Sequence, residues 1–457
     1  MTGKGNKYVS VRRLRIDCAL NSEVLMKNLV ICLVAIASLL PDATAQSTFH
    51  GNNSRVGIYQ SPELRKLNGV KWKFKTGAPV IASPAISNGV IFTGSVDTFF
   101  YAIDEETGQQ KWKFQTGGGI VSTAAVADGT VYFGSYDGNL YALDERSGAL
   151  KWKYSMEYER RFEAKHLHGH DPKEQMIPDG WDFYMSSPAV FENRVYFGSG
   201  DKHVYALNAA TGKLVWKFAT GDVVHASPTL ADSTVYIGSW DSNLYALDAS
   251  SGKEKWRFKA GEDSVNFNQV GFQSSAAVAN GTVYIGCRDS HVYAVNAKNG
   301  EKEWEYSTGN SWVSNTPAIA NGVVYVGTTP LNALDARTGK LLYTMNGDSG
   351  GVFSSVALAG DMAYFGNLMG SLYAFDTKTG KRVWEFKTEG QKSDPLKLLD
   401  SDGKLNPEAF APMFNDFEDH YVGMYKRFTL GSVLSSPVVD RGNIYFGSTD
   451  GSLYALQ

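Results

Sequence analysis

Short apolar runs alternate with turn residues along almost the whole chain, as in Val131-Tyr132-Phe133 followed by Leu140-Tyr141-Ala142-Leu143. Their two-residue alternation and their Val, Tyr and Phe content predict β-strands rather than helices. One phrase recurs: YAIDEETGQQKWKF at 101, YALDERSGALKWKY at 141, YALNAATGKLVWKF at 205, YALDASSGKEKWRF at 245, YAVNAKNGEKEWEY at 293, NALDARTGKLLYTM at 332 and YAFDTKTGKRVWEF at 373. Its terminal aromatics are Trp112, Trp152, Trp216, Trp256, Trp304, Tyr343 and Trp384, spaced by 40, 64, 40, 48, 39 and 41 residues. Two further apolar runs precede each phrase, so each unit of about 40 residues holds four strands, the period of a propeller blade.

Turn chemistry divides the units in the same way. Asp137-Gly138 and Asp450-Gly451 suit the hairpin between second and third strands, with Asp97, Asp201, Asp241 and Asp289 in equivalent places. Asp or Asn at 104, 144, 208, 248, 296, 335 and 376 precedes a Gly by four residues, which suits an Asx turn closing through positive φ. All these carboxylates read as turn formers. An eighth unit begins at Ser435 and stops at Gln457 after three strands. Its fourth strand is available as Val70-Lys71-Trp72-Lys73-Phe74, with Trp72 set 40 residues before Trp112. The expectation is an all-β, eight-bladed propeller of four-stranded antiparallel blades, closed by pairing an N-terminal strand with the last blade. Such closure removes both open sheet edges.

Composition narrows the class. The 457 residues are 43% hydrophobic and 13% aromatic, with 47 Gly against 14 Pro, which suits strands joined by tight turns. Residues 1–45 hold 6 Lys/Arg and 3 Asp/Glu, leaving 38 against 44 beyond them, a net charge of −6 without a basic stripe. Nucleic-acid binding is not expected. Residues 26–45 join a Lys, a 12-residue apolar run, Pro41 and Ala43-Thr44-Ala45, the pattern of a secretory signal cleaved before Gln46. That run is too short for a transmembrane anchor, which needs about 20 apolar residues. The domain reading is a leader at 1–45, an N-terminal extension at 46–69, and a propeller at 70–457 with insertions at about 155–183 and 387–433. Beyond the leader only Cys287 remains, so the exported chain forms no internal disulfide, and this thiol is expected to be buried and structural. Periplasmic or secreted localisation follows. A monomer is expected.

The repeated A-x-[DN]-x-x-[TSN]-G-x-x-x-W, at 102, 142, 206, 246, 294 and 374, resembles the quinoprotein-like (PQQ-repeat) propeller family over essentially all of residues 70–457. That family looks divided between pyrroloquinoline quinone (PQQ) dehydrogenases and the barrel-assembly propeller lipoprotein. The resemblance implies that Trp72, Trp112, Trp152, Trp216, Trp256, Trp304 and Trp384 are structural docking residues between blades. This chain lacks the adjacent cysteine pair of methanol-type dehydrogenases, a Cys-x-x-Cys-His haem site and the lipoprotein cysteine after the apolar run.

The excess length falls in connections from fourth to first strands, which a propeller gathers on one face, and binding usually resides on such loops. Just before the first strands the sequence offers Asp182, His225, Asn268, Gln269 and Trp312, with Arg427 nearby, able to hydrogen-bond or stack on a planar or sugar-like ligand. Were PQQ with calcium the cofactor, Trp312 would be the stacking floor, Asn268 and Asp182 calcium ligands, and His225 a base. The first insertion contains His166, His168 and His170, weak metal candidates read as loop histidines. Asp400, Asp402 and Asn406 have some character of a calcium loop, but Gly403 stands two positions early, so an acidic turn is expected. The functional expectation is an exported binding or scaffolding protein whose looped face grips a protein or carbohydrate partner. The alternative is a PQQ- and calcium-dependent dehydrogenase of an alcohol or sugar.

Overall fold

The computed structural model describes residues 47–261, 270–309, 311–327, 330–347, 350–410 and 417–457. Eight four-stranded antiparallel sheets follow one another as blades. Blade 1 runs through Ala85–Ser87, Val90–Gly94, Phe99–Asp104 and Gln110–Gln115, from the channel outward. Blades 2 to 7 repeat this order. In blade 8 the strands Val438–Asp440, Asn443–Gly447 and Ser452–Leu456 are completed by Val70–Lys75, whose Phe74 pairs antiparallel with Leu453. Pairing of the two chain ends therefore closes the ring, as the strand count requires.

Position in the blade sets each strand's pattern. Third strands such as Asn139–Asp144 are buried on both faces because neighbouring blades pack against them. Outer strands such as Leu150–Ser155 alternate between exposed and partly buried side chains. The docking tryptophans of blades 1 to 5 and of blade 8 reach the next blade, donating the indole N–H to a backbone carbonyl at 2.9–3.2 Å, as Trp112 does to Glu145 and Trp304 to Ala336. Tyr343 substitutes through its hydroxyl, which donates to Thr377 O. The repeat glycine is the floor beneath that ring. Gly148 has φ +71°, and a Cβ there would lie 2.6 Å from Trp112. Blade 8 has no such turn, so Trp384 donates instead to Leu64 O in the N-terminal segment.

The turn carboxylates also do more than close hairpins. Asp97, Asp137, Asp201, Asp241, Asp289 and Asp450 each accept a hydroxyl from the Tyr four residues on, at 2.6–2.8 Å. Asp97 and Asp137 also accept the N–H of Gly77 and Gly117 from the preceding blade's outer connection. Hairpins and outer connections thus share one face.

Around the channel, hydroxyls link the first strands in series. The N–H of Ser83, Thr123, Ser187, Ser227, Thr316, Ser355 and Ser436 each meets the Ser or Thr oxygen of the next blade at 2.8–3.1 Å. The N-terminal extension is no loose tether. Residues 53–57 give backbone carbonyls to Leu230, Val278, Ile319 and Leu358, crossing the channel at the end away from the insertions. Arg55, fully buried, donates to the carbonyls of Phe49, Ser187 and Pro228, and His50 bonds Val356 O. Burial lowers His50 to about 4, so it remains neutral.

Candidate functional site

The first insertion folds over the channel mouth through buried charge. His225 Nδ1 lies 2.7 Å from Asp182 Oδ1, and Nε2 lies 2.8 Å from Glu159 Oε1. All three side chains are essentially inaccessible. Asp182 also accepts the N–H of Phe162, and Glu159 accepts the N–H of Gly200. Burial pulls the imidazole down, but the two carboxylates outweigh it and raise His225 to about 10. With both nitrogens between acids, the ring is an ionic pin rather than a base presented to a substrate.

A second buried pair stands beside it. Arg288 Nη1 donates to Asp179 Oδ2. The Arg288 guanidinium lies 4.7 Å from the Trp240 ring and 4.4 Å from the Trp312 ring, a cation–π sandwich. Trp312 meets Trp181 edge-on at 6.0 Å, and Trp181 stacks on Phe353 at 5.5 Å. With Phe183, Met185 and Leu434 these rings fill the mouth as a small core. Among the described residues, Arg288 Nε and Nη2, Trp240 Nε1, Gln273 Oε1, Ser290 Oγ and Ser314 Oγ have no hydrogen-bond partner, a concentration of unsatisfied polar atoms in blades 4 to 6.

Two hollows remain. Inside the channel, between Phe49 of the extension and Tyr184 of the insertion, a chamber of about 40 Å³ is lined by the hydroxyl ring, His225 and Gln273. That is space for a few waters. Outside, a groove of about 350 Å³ lies between the first insertion and the helix Phe417–Phe428. Val96, Tyr136, Phe183, Met424, Tyr425 and Phe428 make it predominantly apolar, and Arg161 is the charged residue in its lining.

Several expectations change on this geometry. Asp182 and His225 lie together at the channel mouth, where they bind each other and Glu159. Trp312 is a face of the Arg288 sandwich rather than an open floor. Asn268 and Gln269 lie outside the described residues. Arg427 lies in the last turn of the helix Phe417–Phe428, and burial lowers its guanidinium from the ordinary value. The histidine run lies in a loop, the reading the sequence favoured. His166 adopts φ 53° before a short turn of 3-10 helix, its Nδ1 bonds His170 O, and His170 Nε2 bonds Gln175. Among the described residues no group of three His, Cys, Asp or Glu can hold a metal ion. Asp400 caps its own turn by accepting the N–H of Asp402 and Lys404. Cys287 is fully buried, its thiol facing Gly271 O and raised well above its ordinary pKa by burial. Glu159, Asp179 and Arg288 escaped sequence reasoning. Each is one charged residue in a loop or hairpin, and the only available signal was that Arg288 replaces the hydrophobic or small residue of other hairpins, such as Val96 or Gly200.

Ring, repeat and hydroxyl relay define a PQQ-repeat eight-bladed propeller. The chain belongs to the family described as outer membrane protein assembly factor BamB, which it matches over residues 46–168 and 163–386. The structure of BamB from Moraxella catarrhalis superposes with a TM-score of 0.62 at 15% identity, covering 85% of this chain and 99% of that one. Quinohemoprotein alcohol dehydrogenase from Comamonas testosteroni superposes with a TM-score of 0.64 at 14% identity, covering 90% and 80%. These likenesses concern the fold. A quinone alcohol dehydrogenase subunit of Gluconobacter oxydans is 38% identical over 91 residues, 17% of this chain and 12% of that protein. The 1-butanol dehydrogenase (cytochrome c) of Thauera butanivorans is 39% identical over 89 residues, 17% and 13%. The chain thus matches only a small part of the length of these relatives. Among the described residues, no helix is long and apolar enough to cross a membrane.

Proposed function

We propose that the chain is an exported scaffolding protein, periplasmic or secreted, that binds a protein partner through its insertion-bearing face. The observation that carries this reading is the apolar groove of about 350 Å³ beside a channel mouth packed with the protein's own side chains. Its aromatic walls suit an apolar side chain of a protein partner. A carbohydrate would need more hydrogen-bonding groups than the lining supplies. Membership in the BamB family supports the same reading.

The alternative, a PQQ- and calcium-dependent dehydrogenase, draws support from the relatives that match in sequence. The described residues do not fit that cofactor. The channel chamber of about 40 Å³ holds a few waters, and the mouth above it is filled by Trp181, Phe353 and the Arg288–Trp312 pair. Asp182 and His225, the candidate ligand and base, already satisfy each other.

The test is site-specific photocrosslinking from position 425, since Tyr425 is 43% exposed at the groove rim. A single protein adduct, lost when Val96→Lys charges the opposite wall, is expected in cell-envelope fractions. Failure to form any adduct overturns the reading. Excision of residues 157–180 is unsuitable, because it removes Glu159 and Asp179 and strands His225 and Arg288 in the interior.

A further inference from the structure

Among the described residues, each blade presents an outer strand whose far edge has no pairing strand, the arrangement that invites another chain. Charges on either side of the docking aromatic protect these edges. They are Lys111 and Lys113 in blade 1, Glu303 and Glu305 in blade 5, and Glu385 alone in blade 7. Seven of the eight outer strands carry at least one charge at these two positions. Blade 6 carries none. Its outer strand, Leu341–Met345, reads LLYTM, and no charged residue follows until Asp348. Leu341 is 45% and Leu342 50% exposed. Tyr343 turns inward to bond Thr377 O, leaving Leu342 and Thr344 on the other side of the strand.

We infer that the blade 6 edge is a strand-addition site that takes an extended, uncharged, β-branched segment of a partner protein. A row of unpaired backbone N–H and C=O groups is complemented by another strand, and side-chain charge decides which edges accept one. A second copy of this chain is the poorer occupant. Two five-residue edges meeting on convex rims bury far less than the roughly 800 Å² per partner of a standard interface. A flexible segment has no such rim to clash and can follow the blade surface. This site lies on the propeller's rim and is independent of the groove.

The test is hydrogen–deuterium exchange on the full exported chain, with and without an acetylated, amidated hexapeptide of alternating Thr and Val. At millimolar peptide, exchange across 341–347 is expected to slow about tenfold, with no change across 110–115. The Leu342→Lys/Thr344→Lys variant reproduces the blade 1 pattern and is expected to lose that slowing while retaining its melting temperature. If the double variant melts early, Thr344→Lys alone provides the comparison. Equal slowing on every outer strand, or none at 341–347, overturns the assignment. So does slowing that appears without peptide as protein concentration rises, because the occupant is then a second copy.

Discussion

The imidazole of His225 sits 2.7 Å from the carboxylate of Asp182, across 43 residues of sequence, with Glu159 closing on its other nitrogen. A histidine so enclosed fastens the insertion to blade 4. Replacing it by Phe leaves two carboxylates buried without their cation, at a cost of about 3–5 kcal/mol in urea unfolding. Near-unchanged stability would show that the pin carries no load.

The same pin sets a pH dependence. Because His225 is raised from 6.5 to about 10, its stabilisation is complete below pH 6.5 and drains away as pH rises toward 10. Melting temperatures measured from pH 6 to 10 are expected to fall more steeply in the wild type than in His225→Phe. Parallel curves would contradict this.

The glycine floor beneath each docking ring can be separated from backbone strain. Gly148 and Gly129 have φ of +71° and +67°, but only a Cβ at 148 meets the Trp112 ring, and nothing lies within 4 Å at 129. Gly129→Ala is expected to cost about 1 kcal/mol from its backbone conformation alone. Gly148→Ala is expected to cost about 2 kcal/mol more. Equal costs in denaturant titrations would remove the ring contact from the account.

Arg55 binds the buried carbonyls of Ser187 and Pro228 and the partly buried carbonyl of Phe49. Arg55→Met leaves them unpaired, so a loss of about 3 kcal/mol or more is expected. Protease cleavage within residues 47–59 should also quicken. Unaltered cleavage would mean the floor is held without it.

Two ligand measurements check the closed channel. Adding PQQ with calcium is expected to leave the melting temperature and visible absorbance unchanged, and a shift of several degrees would reopen the mouth to a cofactor. Cys287 is expected to react with a thiol reagent only after denaturation, since burial keeps it inaccessible and protonated.

The blades were legible because each is a local unit whose strand alternation, Asx turn and docking Trp recur at a period near 40, the turn and the Trp seven times each, so weak signals reinforce one another. Ring closure was legible for the same reason, since a three-strand remainder at one end matched a lone Val70–Phe74 strand at the other. The channel floor made by residues 47–59 was not. Its contacts run from backbone carbonyls to five different blades, and carbonyls leave no trace in residue type. The mouth was half legible: position alone brought out Asp182, His225 and Trp312, while Glu159, Asp179 and Arg288, which complete their bonds, occur once and repeat nowhere. Sequence therefore determined the repeating scaffold and the face that bears the insertions. Only the tertiary structure decided that the charges there satisfy one another, because burial and pairing depend on distances across 43, 66 and 109 residues that no local pattern encodes.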